Sequence, residues 1–258
     1  VVELIDAVAA ITAEAGALAL RRSGEVFERW EKAGGEPVSA VDLEVDALLR
    51  ARLSALIPDA GWLSEETADN ADRLACRRVW VVDPIDGTRD FLRGRTGWAV
   101  SVALVEAGRV VLGVLDAPAR GDCWRAVAGR GATRNGAVVR CGKWTALGGA
   151  RVPADTLPRP DSDLVLVEKP NSIALRIAKV AADEADLVAT LRWGHEWDVA
   201  AAVLIAAEAG AAVSDALGAP LAFNTPRAQA FGVVVSTPGI HAAAVERLAD
   251  RARALVGH

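Results

Sequence analysis

The sequence predicts an α/β fold, and three observations carry that reading. Beyond about residue 141, helical apolar patterns alternate with short apolar runs of strand length. Before it, alternating runs separated by glycine turns read as an antiparallel meander. Of the 258 residues, 52% are hydrophobic, which supplies an ample core.

The elements follow in order. Leu4, Val8, Ile11 and Leu18 recur at helical spacing, so 1–22 reads as an amphipathic helix. Lys32 to Pro37 reads as a loop, with Gly34-Gly35 as breakers. A second helix runs from about Asp42 through Leu56, and Pro58 ends it. Val79 to Val82 is a buried strand, which Pro84 is expected to stop because proline has no N–H for a ladder. Gly97 to Val105 and Arg109 to Leu115 form a hairpin, and Cys123 to Val127 continues it. Asn135-Gly136 is a tight hairpin turn. Gly129-Arg130-Gly131 lacks nucleotide-loop spacing and reads as turn glycine. A Gly- and Pro-rich stretch follows, and the division falls near its start: 1–140 and 141–258. Leu164 to Val167 is a strand, Asn171 to Ala182 a helix and Ala185 to Ala189 a strand. Asp198 opens a helix that Gly210 stops. Strands at 211–214 and 231–235 precede a last helix, Ile240 to Val256.

Composition narrows the function. A net charge of −5 argues against binding nucleic-acid polymers or membrane surfaces by charge. No apolar run reaches the ~18 residues of a bilayer span. Glu3, Asp6 and Glu14 interrupt the first twenty residues, which therefore read as neither signal peptide nor span. Three scattered cysteines fit a reducing, cytoplasmic setting. The three histidines form no zinc-ligand spacing.

The stretch Val81-Val82-Asp83-Pro84-Ile85-Asp86-Gly87-Thr88-Arg89-Asp90-Phe91 concentrates the chemistry. Two acids at a strand mouth, beside the amides of a turn, suit a site for cations and phosphate together. Taken singly, the acids also read as ordinary structure. Asp42 fits a first-turn helix acid, Asp198 an N-cap, and Glu65-Glu66 a solvated pair. His195 reads as a satisfied or solvated histidine, and Glu208 as a structural acid near a helix end.

Asp83-Pro84-Ile85-Asp86-Gly87-Thr88-Arg89-Asp90-Phe91 resembles the signature of the inositol monophosphatase superfamily. Gly61-Trp62-Leu63-Ser64-Glu65-Glu66-Thr67 is similar to its acidic block. Glu196-Trp197-Asp198-Val199-Ala200 resembles its Trp-Asp helix. The resemblance implies a layered α-β-α-β-α sandwich with the active site between two subdomains. It implies a phosphate monoesterase using two to three Mg²⁺ ions per site. Glu65, Asp83 and the Ile85 carbonyl would hold one ion, and Asp83, Asp86 and Asp198 a second. A third, weaker ion would sit near Glu65, with Asp42 in its outer shell. Glu65 and Thr88 would hold the attacking water, and Asp42 the Thr88 hydroxyl. The N–H groups of Gly87 and Thr88 would take phosphate oxygens, with Asp198 on the substrate side. Lys32 matches a loop lysine of the family.

The resemblance also implies lithium sensitivity, a small phosphorylated metabolite as partner and a homodimer. Lys169-Pro170-Asn171-Ser172-Ile173-Ala174-Leu175-Arg176 departs from the family's small-residue run beside the substrate. Inositol phosphate is the first substrate reading. A 3'(2'),5'-bisphosphate nucleotide is the alternative, suggested by the basic loop Arg89 to Arg95 and by Arg130, Arg134 and Arg192. A non-catalytic metal-dependent binding module is the rival of another class. Retention of Glu65, Asp83, Asp86, Thr88 and Asp198 speaks against it.

Overall fold

The computed structural model describes residues 2–31 and 37–256. Lys32 and the Gly34-Gly35 breakers lie outside them. A short 3₁₀ turn leads into α1 (Ile5–Arg22). β1 (Arg29–Glu31) and β2 (Pro37–Ser39) form a small antiparallel pair, so Pro37 opens a strand rather than closing a loop. α2 (Ala40–Leu56) follows directly, capped by Ser39.

Seven strands then build the main sheet. β3 (Gly61–Ser64) and β4 (Arg78–Asp86) are parallel. The short α3 (Thr88–Leu92) leads to β5 (Ala99–Glu106), β6 (Arg109–Ala117), β7 (Asp122–Val127), β8 (Ala132–Arg134) and β9 (Ala137–Val139). These run antiparallel in sequence order. The Ala107-Gly108 and Asn135-Gly136 turns have positive φ at both residues, as two-residue hairpins of this hand require. Pro84 does not end the pairing. Asp83 faces Ser101, the register slips, and Asp86 pairs with Ala99. The irregularity absorbs the missing N–H and brings Asp83 and Asp86 to the same strand end.

In the remaining chain, β10 (Arg151–Pro153) and β11 (Val165–Val167) pair in parallel. α4 (Ile173–Ala181), β12 (Leu187–His195), α5 (Glu196–Glu208), β13 (Ala212–Ser214), β14 (Gln229–Ser236) and α6 (His241–Val256) complete it. β12, β14 and β13 form a three-stranded antiparallel sheet.

The order of layers is α1/α2, main sheet, α4/α5, small sheet, α6. That is the expected α-β-α-β-α sandwich. Strand alternation divides the core in two. Val79 and Val81 pack towards α4 and α5, while Trp80 and Val82 pack towards α1 and α2. α5 is buried almost all round because a sheet covers each side. It lies so close to β6 that a Cβ on Gly113 would stand 2.8 Å from the Ala201 carbonyl oxygen. Among the described residues, no helix is long and apolar enough to cross a membrane.

Candidate active site

The site forms where β3 and β4 end and α3, α4 and α5 begin. Glu65 follows β3, and its N–H donates to the Val82 carbonyl at 3.3 Å, extending the ladder. Asp46, buried on α2, grips the residues on either side. It accepts from Ser64 Oγ at 2.5 Å and from Thr67 Oγ1 at 2.7 Å. Asp83 points inward from β4 and accepts the Ile85 N–H at 3.0 Å. Asp86 turns instead towards α4. It accepts from Ser172 Oγ at 2.5 Å and from the Ala174 N–H at 2.7 Å, with the Ile173 N–H at 3.3 Å. These first-turn amides have no intrahelical acceptor, and a carboxylate suits their dipole.

Gly87 adopts φ +96°, and a Cβ there would meet the Gly97 carbonyl oxygen at 2.7 Å and the Ser172 nitrogen at 2.9 Å. Only glycine fits this turn. Thr88 Oγ1 lies 3.0 Å from the Ile85 carbonyl and 3.4 Å from Asp42 Oδ1. Asp42 therefore faces Thr88 as expected, but the carbonyl is the nearer acceptor. Asp42 also accepts the Ser39 N–H at 2.8 Å and the Ser39 hydroxyl at 2.6 Å, which caps α2.

α5 begins two residues earlier than expected. His195 is its N-cap, and Asp198 is the third helical residue rather than the cap. The Asp198 carboxylate accepts the His195 N–H at 3.2 Å, which aims it back into the cleft. The His195 ring stacks on Trp197 at 4.2 Å and 4°. Its Nδ1 is buried without a hydrogen-bond partner among the described residues, while the residue is half-buried on the cleft wall.

Carboxylate oxygens of Glu65, Asp83 and Asp198 come within 4.8 Å of one another. Asp86 borders the same cleft but is drawn away by α4. Crowding and burial make the ionised forms costly. The Asp83 carboxyl is raised well above its ordinary value by burial, then by the charges of Glu65, Asp86 and Asp198. Asp198 is pushed up to about 8 by burial and by Asp86 and Glu65. Asp86 rises to about 6, because burial outweighs its hydrogen bonds from Ser172 and Ala174. Burial also raises Asp42. Neither Asp83 nor Asp198 has an ion-pair partner among the described residues. An all-oxygen donor set with surplus negative charge fits a hard divalent cation such as Mg²⁺.

The cleft above these acids has a volume of about 420 Å³. Arg89, Lys169, Arg176, Arg192, Trp193 and Trp197 share its walls with the acids. Arg176 is braced by the Pro170 and Asn171 carbonyls, at 2.8 and 2.6 Å. The other basic candidates are not there. Arg93 caps the end of α3, and Arg95 lies 3.6 Å from Asp90. Arg134 pairs with Asp122 and Glu184. Arg130 belongs to the turn at 129–131, whose Gly129 and Gly131 amides donate to Glu208 at 2.7 Å each. That turn binds a carboxylate of its own chain, and Glu208 is the structural acid expected.

Sequence reading missed Asp46, and it placed Ser172 and Arg176 only within the block beside the substrate, without their roles as Asp86 partner and cleft wall. Asp46 left a faint signal, as an acid one helical turn after Asp42. Ser172 stands three residues before Leu175, whose N–H it caps at 2.9 Å.

Comparison with known proteins identifies the family. The profile of the inositol monophosphatase family matches residues 2–256. The 3'(2'),5'-bisphosphate nucleotidase CysQ of Escherichia coli is 34% identical over 207 residues, covering 76% of this chain and 82% of that protein. A fructose-1,6-bisphosphatase/inositol-1-monophosphatase of Thermotoga maritima is 33% identical over 190 residues, covering 70% and 72%. A solved Thermotoga maritima IMPase superposes with TM-score 0.85 at 26% identity, covering 98% of this chain and 99% of that one. The chain belongs to the inositol monophosphatase family and is a magnesium-dependent phosphatase of that family.

Proposed function

We propose that the chain hydrolyses a phosphate monoester carrying a second anionic group, with 3'(2'),5'-nucleoside bisphosphates as the substrate class. The observation behind this is the gathering of Arg89, Arg176, Arg192 and Lys169 around the acidic cleft. The reaction centre acts on a phosphate group common to all candidates, so selection rests on contacts at the rim. Lys169 pairs with Asp155 and Arg176 bonds the Pro170 and Asn171 carbonyls, so the support for a second anionic group rests chiefly on Arg89 and Arg192. The order of the two substrate readings is thereby reversed relative to the sequence alone.

Glu65, Asp83 and the Ile85 carbonyl would hold one Mg²⁺. Asp83, Asp86 and Asp198 would hold a second, and a third, weaker one would sit near Glu65. Bound there, Mg²⁺ supplies charge neutralisation on the phosphate and a more acidic water. Glu65 and Thr88 orient that water. The Thr88 hydroxyl donates to Ile85 or Asp42, which leaves its oxygen to accept from the water. The Gly87 and Thr88 amides, at the start of α3, hold phosphate oxygens.

Inositol phosphate stays as the second reading, favoured by the Thermotoga maritima relative named for fructose bisphosphate and inositol phosphate. The deciding experiment compares kcat/KM for adenosine 3',5'-bisphosphate and inositol 1-phosphate. The nucleotide should lead by at least ~10-fold, about 1.4 kcal/mol of differential binding. Arg89→Ala and Arg192→Ala should erase that lead without slowing the inositol reaction. A lead for inositol phosphate that both substitutions leave alone would refute the bisphosphate reading.

We also propose regions 1–140 and 141–258 as the two halves flanking the cleft. A reducing cytoplasmic setting is supported by three free cysteines. A homodimer is proposed on the family resemblance, and light scattering tests it.

A further inference from the structure

The metal-site acids come from two separate sources. Glu65 and Asp83 belong to the β3–β4 unit, while Asp198 arrives on α5. Something must hold that helix end at a fixed distance from the strands. Glu196, two residues before Asp198, is 0% exposed. Its carboxylate accepts the Asn224 N–H at 2.6 Å on one oxygen. The other oxygen accepts the Thr225 N–H at 2.9 Å and the Thr225 hydroxyl at 2.6 Å. Its own N–H donates to the Ala228 carbonyl at 2.9 Å.

The same loop is clasped from the opposite side by Arg73, in the 3₁₀ turn linking β3 to β4. Arg73 donates to Asn224 Oδ1 at 2.6 Å and to the Thr225 carbonyl at 3.0 Å. The Asn224 side-chain amide returns a bond to the Arg73 carbonyl at 3.2 Å. Asp69 fixes the guanidinium through two bonds, of 2.6 and 2.8 Å. A closed path thus runs from the β3–β4 connection through Arg73, Asn224-Thr225 and Glu196 to the first turn of α5. The side-chain polar groups of Arg73, Asn224, Thr225 and Glu196 bond one another or Asp69, and neither Arg73 nor Glu196 borders the cleft.

We infer that Arg73 and Glu196 are positioning residues that set Asp198 against Glu65 and Asp83, and so set the affinity for the divalent cation. The inference rests on the magnesium-phosphatase reading. A carboxylate is needed at 196 because three donors converge on it. Glutamine presents an NH₂ to one of them and leaves that donor unpaired. Loss of supporting contacts of this kind costs roughly 10- to 100-fold in metal affinity.

The test is Mn²⁺ binding by the full chain, read by electron paramagnetic resonance, with melting temperature recorded alongside. Glu196→Gln and Arg73→Lys should weaken Mn²⁺ binding at least ~10-fold. Thr225→Val, which removes one hydroxyl, should weaken it less and serves in their place if they do not fold. Asp161→Asn is the control. It breaks the two-bond Arg251 pair, at 2.8 and 2.9 Å, which lies against α6 away from the cleft. It should lower the melting temperature and leave Mn²⁺ affinity as in the parent. Parent-like affinity in Glu196→Gln and Arg73→Lys, or equal weakening in Asp161→Asn, would overturn the inference. Absence of Mn²⁺ binding by the parent would overturn the magnesium reading as well, which separates the two failures.

Discussion

Asp83 and Asp186 are both 1% exposed, yet the chain treats them in opposite ways. Asp186 accepts the Arg151 N–H at 2.9 Å and two guanidinium bonds at 2.8 Å each. Burial pushes its carboxyl up, but the Arg151 bonds and charge outweigh this and leave it below its ordinary value. Among the described residues Asp83 has no such cation. Its nearest charges are the acids Glu65, Asp86 and Asp198, and they add to the effect of burial. A buried acid with an arginine is structure. Asp83 and Asp198, for which the described residues supply no ion pair, suit a cation from solution instead.

Breaking the acidic group should have the largest effect. Asp83→Asn keeps the shape and the Ile85 contact but removes the charge that the two proposed Mg²⁺ positions would share. Phosphate release should fall by several orders of magnitude at saturating magnesium. The apo-protein should melt higher than the parent, since a repelled charge is gone. Arg151→Gln is the converse. It should lower the melting temperature and leave turnover near that of the parent.

The pH dependence sharpens the contrast. Asp83, Asp86 and Asp198 have folded-state pKa values above the ordinary carboxylate range, about 6 for Asp86 and about 8 for Asp198. Their contribution to apo stability is complete below about pH 4 and is lost as pH rises through the folded values. The melting temperature in chelator should therefore fall between about pH 4 and 8 relative to the magnesium-loaded protein. Asp116, raised to about 6 by burial, titrates in both forms. The difference between the two curves isolates the cleft.

Most of the fold was legible because it is local. Alternation gave the strands, and Asn135-Gly136 gave a turn. Asp83, Asp86, Thr88 and Gly87 sit within six residues of one another. What sequence reading lost is made of pairs far apart in the chain. Asp46 and Thr67, Asp86 and Ser172, and Arg73 and Asn224 meet only after the layers stack. Arg192 reached the cleft and Arg134 did not, a distinction that depends on where the two sheets place them. Pro84 misled because the local rule is right for an unbroken ladder and a register slip suspends it.

Smaller effects follow at the edges of the site. Asp46→Asn loosens the grip on Ser64 and Thr67 around Glu65. Turnover should drop ~10- to 100-fold, with a higher magnesium requirement and little change in melting temperature. Lithium should inhibit at concentrations where sodium does nothing, by occupying the weaker cation position near Glu65. Equal response to the two salts would remove that third position from the account.

The most direct test of the central claim is the melting temperature at pH 8 with and without magnesium, for the parent and for Asp83→Asn. The account predicts a large rise on adding magnesium to the parent, from ions that bind only the folded state. It predicts a higher starting point and a much smaller rise for Asp83→Asn. A parent indifferent to magnesium, or a variant that gains as much as the parent, would contradict it.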